Sequence, residues 1–281
     1  MQLPLAGAAG MVYTYFKYIL HTPQPRRTGG LNVSYADEVF IKNCRDILEN
    51  GFWDTEQQVR PRWEDDGAPA HTVKKFGIVN RYDLRGEFPI LTIRRTYWKS
   101  AIDELLWIWQ KKSNNIKDLG SHVWDQWADE TGSIGKAYGY QLGVKHKYPE
   151  GEFDQVDRVL YDLKHNPASR RILTNIYNFE DLHEMALYPC AYSMTFNVTG
   201  RTLNAQVSGL EAGELVHVIA DAHIYDRHVP IVEKIIKNEP KKAPKLIVDE
   251  SVGDFYAFTK NSFSLPGYEY TELNEKIPIA V

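Results

Sequence analysis

Cysteine is scarce in this chain, with two in 281 residues. Two thiols cannot build the disulfide framework that staples small secreted proteins, so a reducing compartment, the cytoplasm, is expected. No apolar run approaches the roughly 18 residues that a membrane-spanning helix needs, so no membrane partner is expected. A formal net charge of −4 supplies no general attraction to phosphate backbones. Any cationic site has to be local, and no nucleic-acid partner is expected. Internal repeats and low-complexity tracts are absent, which excludes solenoids and disordered tails as the organising plan. Basic residues are missing ahead of Lys17, so the start lacks the charged region of a secretory signal. Residues 1–30 therefore read as a poorly specified N-terminal extension, and residues 31–281 as a single domain.

What is present is ordinary core-forming material: 43% hydrophobic and 12% aromatic residues. Ser34 opens a helical pattern with a capping box to Asp37, and Phe40, Ile41, Cys44, Ile47 and Leu48 recur at helical spacing up to Gly51. Strand-like stretches follow at 72–79 and 88–93. A second helix is expected from Trp98 to about Lys112, apolar around most of its circumference, and a third from Gln155 to Leu163. From Arg171 onward the pattern turns to strands, at 172–177, 191–198, 202–207 and 215–220, with a short helix at 230–237. The fold class is α+β.

Two features carry chemistry. Cys190 follows Tyr188-Pro189 at the start of an alternating run, about twenty residues after Ser169-Arg170-Arg171. Arginine beside a thiol favours the nucleophilic thiolate and also grips phosphate with a two-pronged fork. Together these suggest covalent chemistry on a phosphorylated substrate. Glu104 sits in the second helix among apolar neighbours, where its pKa should be raised into the range of a general acid or base. A structural carboxylate paired to an arginine is the alternative. Cys44 lies on an apolar helix face and reads as a small buried hydrophobe. His183, His223 and His228 have no metal-ligand spacing, and no metal is expected.

Five motifs in order then carry a resemblance: Asp103-Glu104-Leu105-Leu106-Trp107, Trp124-Asp125-Gln126-Trp127, Ser169-Arg170-Arg171, Met185-Ala186-Leu187-Tyr188-Pro189-Cys190 and Asp221-Ala222-His223-Ile224-Tyr225. With the closing Ile277-Pro278-Ile279-Ala280-Val281, the chain from about Tyr35 resembles the folate-dependent thymidylate synthases. The resemblance implies a large twisted mixed sheet with flanking helices, and a homodimer formed through that sheet. It implies methylation of dUMP at C5, with 5,10-methylenetetrahydrofolate as the donor of carbon and hydride. By motif, Cys190 would attack C6 of the pyrimidine, Glu104 would organise water for proton transfer, and Tyr138 would assist proton removal from C5. Arg170 and Arg171 would reach the phosphate of the partner subunit's substrate. Arg60 would hold the phosphate within its own subunit, with Arg62 as competitor for that role. His223 and Tyr225 would hold the ribose 3′-hydroxyl. Trp124 and Leu187 would contact the folate, and Val281 would help close the site.

The chain departs from the family between Ala205 and the His223-Ile224-Tyr225 motif. By motif spacing roughly 28 residues are missing there. In the family they carry an arginine-serine pair, a folate-binding aspartate, a base-selecting asparagine and an apolar core helix. Without the asparagine, dUMP is not separated from dCMP, and a pyrimidine hydroxymethylase of the same superfamily stands as an alternative. Without the helix, Phe196, Ile219 and the neighbouring strands are expected to be uncovered, and the chain to be a catalytically impaired remnant.

Overall fold

The structure is a computed structural model, and it describes residues 33–199 and 213–281. The strand expected at 202–207 and the shortening expected after Ala205 lie outside the described residues. Helices and antiparallel strand pairs alternate along the chain, an α+β fold. No helix among the described residues is long and apolar enough to cross a membrane.

Helix α1 (Tyr35–Asn50) buries Ala36, Val39, Cys44 and Ile47. Those positions share one face of a 3.6-residue period, and that face lies on a sheet. The expected capping box does not form, because both partners are engaged elsewhere. Ser34 Oγ donates to Ile90 O at 2.9 Å, and the Asp37 carboxylate accepts from the Thr92 and Ile93 backbone N–H groups at 2.8 and 3.3 Å. The same bonds explain why 88–93 is irregular and not the expected strand. Two of its N–H groups, those of Thr92 and Ile93, are spent on the α1 side chain of Asp37 and are lost to any strand ladder.

The sheet under α1 has the order β1 (Phe52–Trp53), β2 (Thr72–Asp83), β7 (Glu214–Tyr225). The β2–β7 ladder is antiparallel and runs from Thr72↔Tyr225 to Asp83↔Glu214. Both strands outrun the expected spans. Along β2 the buried positions switch parity, from Val73 to Asn80 and Tyr82. Gly77 stands between them with φ +79°, a left-handed geometry that a side chain would strain. The kink lets two differently phased stretches, Val73 with Ala222 and Ile224, and Tyr82 with Leu215, both face α1.

The second half of the core forms around α2 (Trp98–Leu105), which continues as a π-helical turn over Leu106–Gln110. Leu105, Trp107 and Ile108 are buried there with Trp124, Tyr138 and Leu142. A short helix α3 (Gly139–Gly143) and a hairpin, β3 (His146–Tyr148) with β4 (Gly151–Phe153), lead to α4 (Gln155–His165). Asp154 caps α4 by accepting from Asp157 N. Helix α4 packs on a two-stranded sheet, β5 (Ile172–Asn175) with β6 (Ser193–Phe196). This corrects one expectation: Phe196 is 6% exposed, because Val159, Leu163 and Ile172 cover it and Trp109 meets its ring edge-on. The remaining elements are α5 (Val229–Ile235) and the pair β8 (Ile247–Val248) with β9 (Phe263–Ser264). A cavity of about 1860 Å³ lies between the α1–β2–β7 layer and the α2–α4–β5–β6 layer.

Candidate active site

Cys190 stands on the wall of this cavity, exposed and unpaired. Pro189 ahead of it is buried and cannot donate a backbone N–H, so the turn into β6 is fixed by ring and packing alone. The Cys190 thiol lies 3.8 Å from Tyr188 O. Its backbone N–H donates to Tyr138 Oη at 3.2 Å. That contact positions a phenol directly behind the thiol.

Tyr138 reaches this place through unusual backbone geometry, with φ +47°, which for a tyrosine is strained. The surrounding loop holds it there. Gly135 pairs with Met185, and a Cβ on Gly135 would lie 1.9 Å from Glu184 O. A Cβ on Gly139 would lie 2.2 Å from Ser113 O. Gln141 ties the same loop down, donating to Lys136 O at 2.9 Å and to Asp181 at 2.8 Å. Burial, followed by the proximity of Cys190, raises the Tyr138 pKa, so the phenol stays protonated near neutrality.

Glu104 lies deeper. Trp124 Nε1 donates to its Oε1 at 2.7 Å, and its Oε2 is buried without a hydrogen-bond partner among the described residues. Burial pushes its pKa up to about 7, against a smaller opposing effect of the Trp124 hydrogen bond. Its partner is thus an indole and not the arginine of the structural alternative. The Trp124 ring sits 4.9 Å from that of Tyr138, so carboxyl, indole and phenol form one continuous buried unit ending at Cys190.

Arg60, His223 and Tyr225 line the same cavity. The His223 and Tyr225 rings meet at right angles, 5.2 Å apart. Burial raises the Tyr225 pKa, while Arg60 lowers it and Cys190 raises it through their charges, which brings all three groups into one electrostatic neighbourhood. Arg60 is exposed and forms no ion pair among the described residues, so its guanidinium is available to an anion. Of the two competing arginines, Arg60 faces the cavity. Arg62 instead pairs its backbone with the C-terminus, Arg62 N to Val281 O at 2.7 Å and Val281 N to Arg62 O at 2.8 Å. This pairing draws Val281 onto the cavity wall, where Leu187 also lies.

Arg170 and Arg171 are not brought to the cavity of their own chain; both are exposed just ahead of β5. Trp124 is 4% exposed and stands behind the wall. The residues of its motif that face the cavity are Gln126 and Trp127, because the segment turns as a short 3-10 helix over Asp125–Trp127. Arg94 is a second guanidinium on the wall without an ion pair among the described residues, and only its neighbour Arg95 marks it in sequence. No cluster of His, Cys, Asp and Glu able to hold a metal ion occurs among the described residues.

An exposed thiol on a large concave wall, a phenol and a near-neutral carboxyl behind it, and free guanidinium groups beside it define an enzyme site for covalent work on an anionic substrate. The family model described as thymidylate synthase matches residues 38–208 and 201–281. The thymidylate synthase of Bacillus licheniformis is 41% identical over 271 residues, covering 85% of this chain and 96% of that protein. Thymidylate synthase 1 of Bacillus subtilis strain 168 is 40% identical over 267 residues, covering 83% of this chain and 95% of that protein. Among solved structures, thermostable thymidylate synthase A from Bacillus subtilis superposes with a TM-score of 0.81 at 38% identity, covering 87% of this chain and 99% of that one. The chain belongs to the thymidylate synthase family of methyltransferases.

Proposed function

We propose that this chain converts dUMP to dTMP, with 5,10-methylenetetrahydrofolate as co-substrate and Cys190 as nucleophile. The observation that carries the reading is Cys190, exposed on the cavity wall with Tyr138 Oη 3.2 Å from its backbone nitrogen and the Glu104–Trp124 pair behind. A pyrimidine is a poor electrophile, and addition of the Cys190 sulfur to C6 makes C5 electron-rich enough to take a one-carbon unit. When bound, the reduced folate supplies that carbon and then the hydride that completes the methyl group. The largely apolar wall with Trp127, Leu187 and Val281 suits a flat aromatic co-substrate of this kind.

The chain's own groups do the rest. Arg60 holds the phosphate, and His223 with Tyr225 holds the ribose hydroxyl. Glu104, titrating at about 7, exchanges a proton with the base, directly or through a water on its free Oε2. Tyr138 assists removal of the C5 proton as a relay, its protonated phenol handing its own proton on to water as it takes the new one. Trp124, behind the wall and bonded to Glu104, orients that carboxyl, a positioning role in place of the expected folate contact. Two unpaired thiols support a reducing compartment such as the cytoplasm.

A homodimer completes the reading. The sheet face away from α1 exposes Phe76 (90%), Val79 (56%), Val216 (41%) and Val218 (64%), an apolar patch of the sort that marks an interface. Arg170 and Arg171, facing out of their own chain, are then available to the partner subunit's site. On this reading residues 31–281 act as one catalytic domain.

A second reading, an impaired enzyme, draws support from the cavity, which exceeds the roughly 300–1,000 Å³ of small-molecule sites. One experiment separates the two: mass spectrometry after incubation with 5-fluoro-dUMP and methylenetetrahydrofolate. A covalent adduct carrying both molecules on Cys190 is expected. Its absence from protein that melts cooperatively would leave the impaired reading standing.

A further inference from the structure

Arg60 stands in a long loop that leaves the sheet after β1 and returns at Thr72, the start of β2. Asp54 closes its two ends, accepting from the Thr72 N–H and the Thr72 hydroxyl, each at 2.7 Å. Within the loop, residues 61–70 fold back on themselves: Trp63 N donates to Ala68 O at 2.9 Å and Ala70 N to Pro61 O at 3.0 Å. The C-terminal tail lies alongside. Besides the Arg62–Val281 pairing, Glu64 N donates to Ile279 O at 2.9 Å, and Trp63 is bridged to Ala280. Loop and tail are then fastened to the turn Asp226–His228, which follows Tyr225 directly. Arg227 donates through Nη1 to Asp65 at 2.8 Å and through Nη2 to Asp66 at 2.6 Å, and its guanidinium lies 5.0 Å over the Trp63 ring. His228 Nε2 donates to Pro278 O at 2.9 Å; a carbonyl only accepts, so the ring proton sits on Nε2.

We propose that Arg227 and His228 are positioning residues that lock the Arg60 loop and the C-terminal tail into one unit, so that two consecutive side chains set both the phosphate grip and the closing wall. The inference rests on the roles given above to Arg60 and Val281. A lone surface ion pair would contribute little. Here one planar guanidinium spans two adjacent carboxylates and an indole, a geometry that the point charge of a lysine does not reproduce. Arg227 acts on the loop and His228 on the tail. Between them Trp63, 1% exposed, meets the rings of His228 at 5.4 Å and Tyr225 at 5.8 Å. The Tyr225 and His228 rings are themselves 5.6 Å apart. The ribose site, the phosphate arginine and the tail are therefore all referenced to one turn. Neither Arg227 nor His228 supplies a reacting group on this reading; each acts by placing others, where a small displacement is enough to reduce turnover.

Hydrogen exchange read by mass spectrometry tests the unit without substrate, in peptides covering residues 60–66 and 277–281, with β2 as internal control. Arg227→Ala and His228→Leu should each speed exchange by about ten-fold or more in loop and tail together, with β2 unchanged. Asp65→Asn/Asp66→Asn should reproduce Arg227→Ala. His228→Gln, which keeps a donor for Pro278 O, should exchange like the parent. In turnover, Arg227→Ala and His228→Leu should raise the KM for dUMP and lower kcat together, whereas Arg60→Ala moves KM alone. Unchanged exchange in both variants would overturn the proposal. So would separate responses, with Arg227→Ala loosening only the loop and His228→Leu only the tail. Faster exchange in β2 as well would make the pair a general stabilising element and overturn it too. Because exchange is read without substrate, a chain inactive on dUMP would sink the methyl-transfer reading, while the clamp still stands or falls by its own result.

Discussion

Trp124 Nε1 donates to Glu104 Oε1 at 2.7 Å, yet this single bond does not offset the burial of the carboxyl, whose pKa stands at about 7. A raised carboxyl pKa has a definite sign in stability. Between the ordinary value of 4.5 and about 7 the folded chain binds more protons at this group than the unfolded chain. Glu104 therefore costs stability progressively as pH rises through that window, on the order of 3 kcal/mol in total. Glu104→Gln removes the titration. Thermal melts from pH 5 to 8 are expected to show a smaller loss of Tm with rising pH for the variant than for the parent. Parallel curves would remove Glu104 from the account.

The same group should shape turnover. If Glu104 exchanges a proton with the base, the pH profile of kcat/KM has a limb near 7 that disappears in Glu104→Gln together with a 10²–10⁴-fold loss of rate, the usual worth of a positioned acid or base. Trp124→Phe leaves the carboxyl without its donor. The limb should then move to higher pH while persisting, which a merely structural tryptophan would not do.

The loop that presents Tyr138 to Cys190 makes a sharp prediction about backbone. Gly135 has φ +71°, and a Cβ there would meet Glu184 O at 1.9 Å. Gly135→Ala should destabilise by about 2–4 kcal/mol, through clash and a left-handed backbone together. Tyr138→Phe keeps the loop and removes only the acceptor of the Cys190 N–H, so it should cost about 1 kcal/mol in denaturant melts. It should still form the Cys190 adduct with 5-fluoro-dUMP and lose kcat. A variant that fails to form the adduct would mean that Tyr138 acts on the thiol and not on the later proton.

How much of this was legible in sequence depended on whether local pattern or distant partners decide. Helical spacing located α1 and α4, because one apolar face is enough to define them. The motif around Cys190 pointed to a thiol that stands exposed on the cavity wall, and Glu104 among apolar neighbours pointed to a carboxyl with a raised pKa. The failures are long-range. Asp37 reads as a capping residue until Thr92 and Ile93, 55 and 56 residues away, are seen to take its oxygens. Phe88 to Ile93 reads as a strand for the same reason. Trp124 and Trp127 are indistinguishable by type, and only the turn between them decides which faces the cavity. Arg60 and Arg62 were separable only once Val281 was found paired to Arg62.

That pairing predicts a graded effect at the C-terminus. Removal of Val281 deletes both backbone hydrogen bonds with Arg62 and frees the segment next to Arg60. Because those bonds hold a wall of the site and not the core, Tm should move by less than about 2 °C. Turnover should fall by more than about ten-fold through misplacement of the wall. Arg60→Ala, by contrast, should raise the KM for dUMP and spare kcat, the signature of lost uniform binding.

The last prediction concerns assembly. Val79 and Val218 are direct cross-strand partners, and both are exposed on the sheet face away from α1. Two apolar side chains side by side in solvent stabilise nothing on their own, and an apposed copy of the same face would bury both rows. Val79→Asp/Val218→Asp places two like charges at that point. In sedimentation velocity at micromolar concentration the parent is expected as a dimer and the variant as a monomer, with α1 and its core face untouched and the secondary structure unchanged. The outward Arg170 and Arg171 add a functional arm. If they serve the neighbouring site, Arg170→Ala/Arg171→Ala and Cys190→Ser should each be inactive as homodimers. Mixed and allowed to exchange subunits, they should recover activity, because one of the two sites then holds both an intact thiol and intact arginines from the other chain. No recovery after exchange would place the arginines outside the partner's site, and activity retained by the monomeric valine variant would remove the need for a dimer altogether.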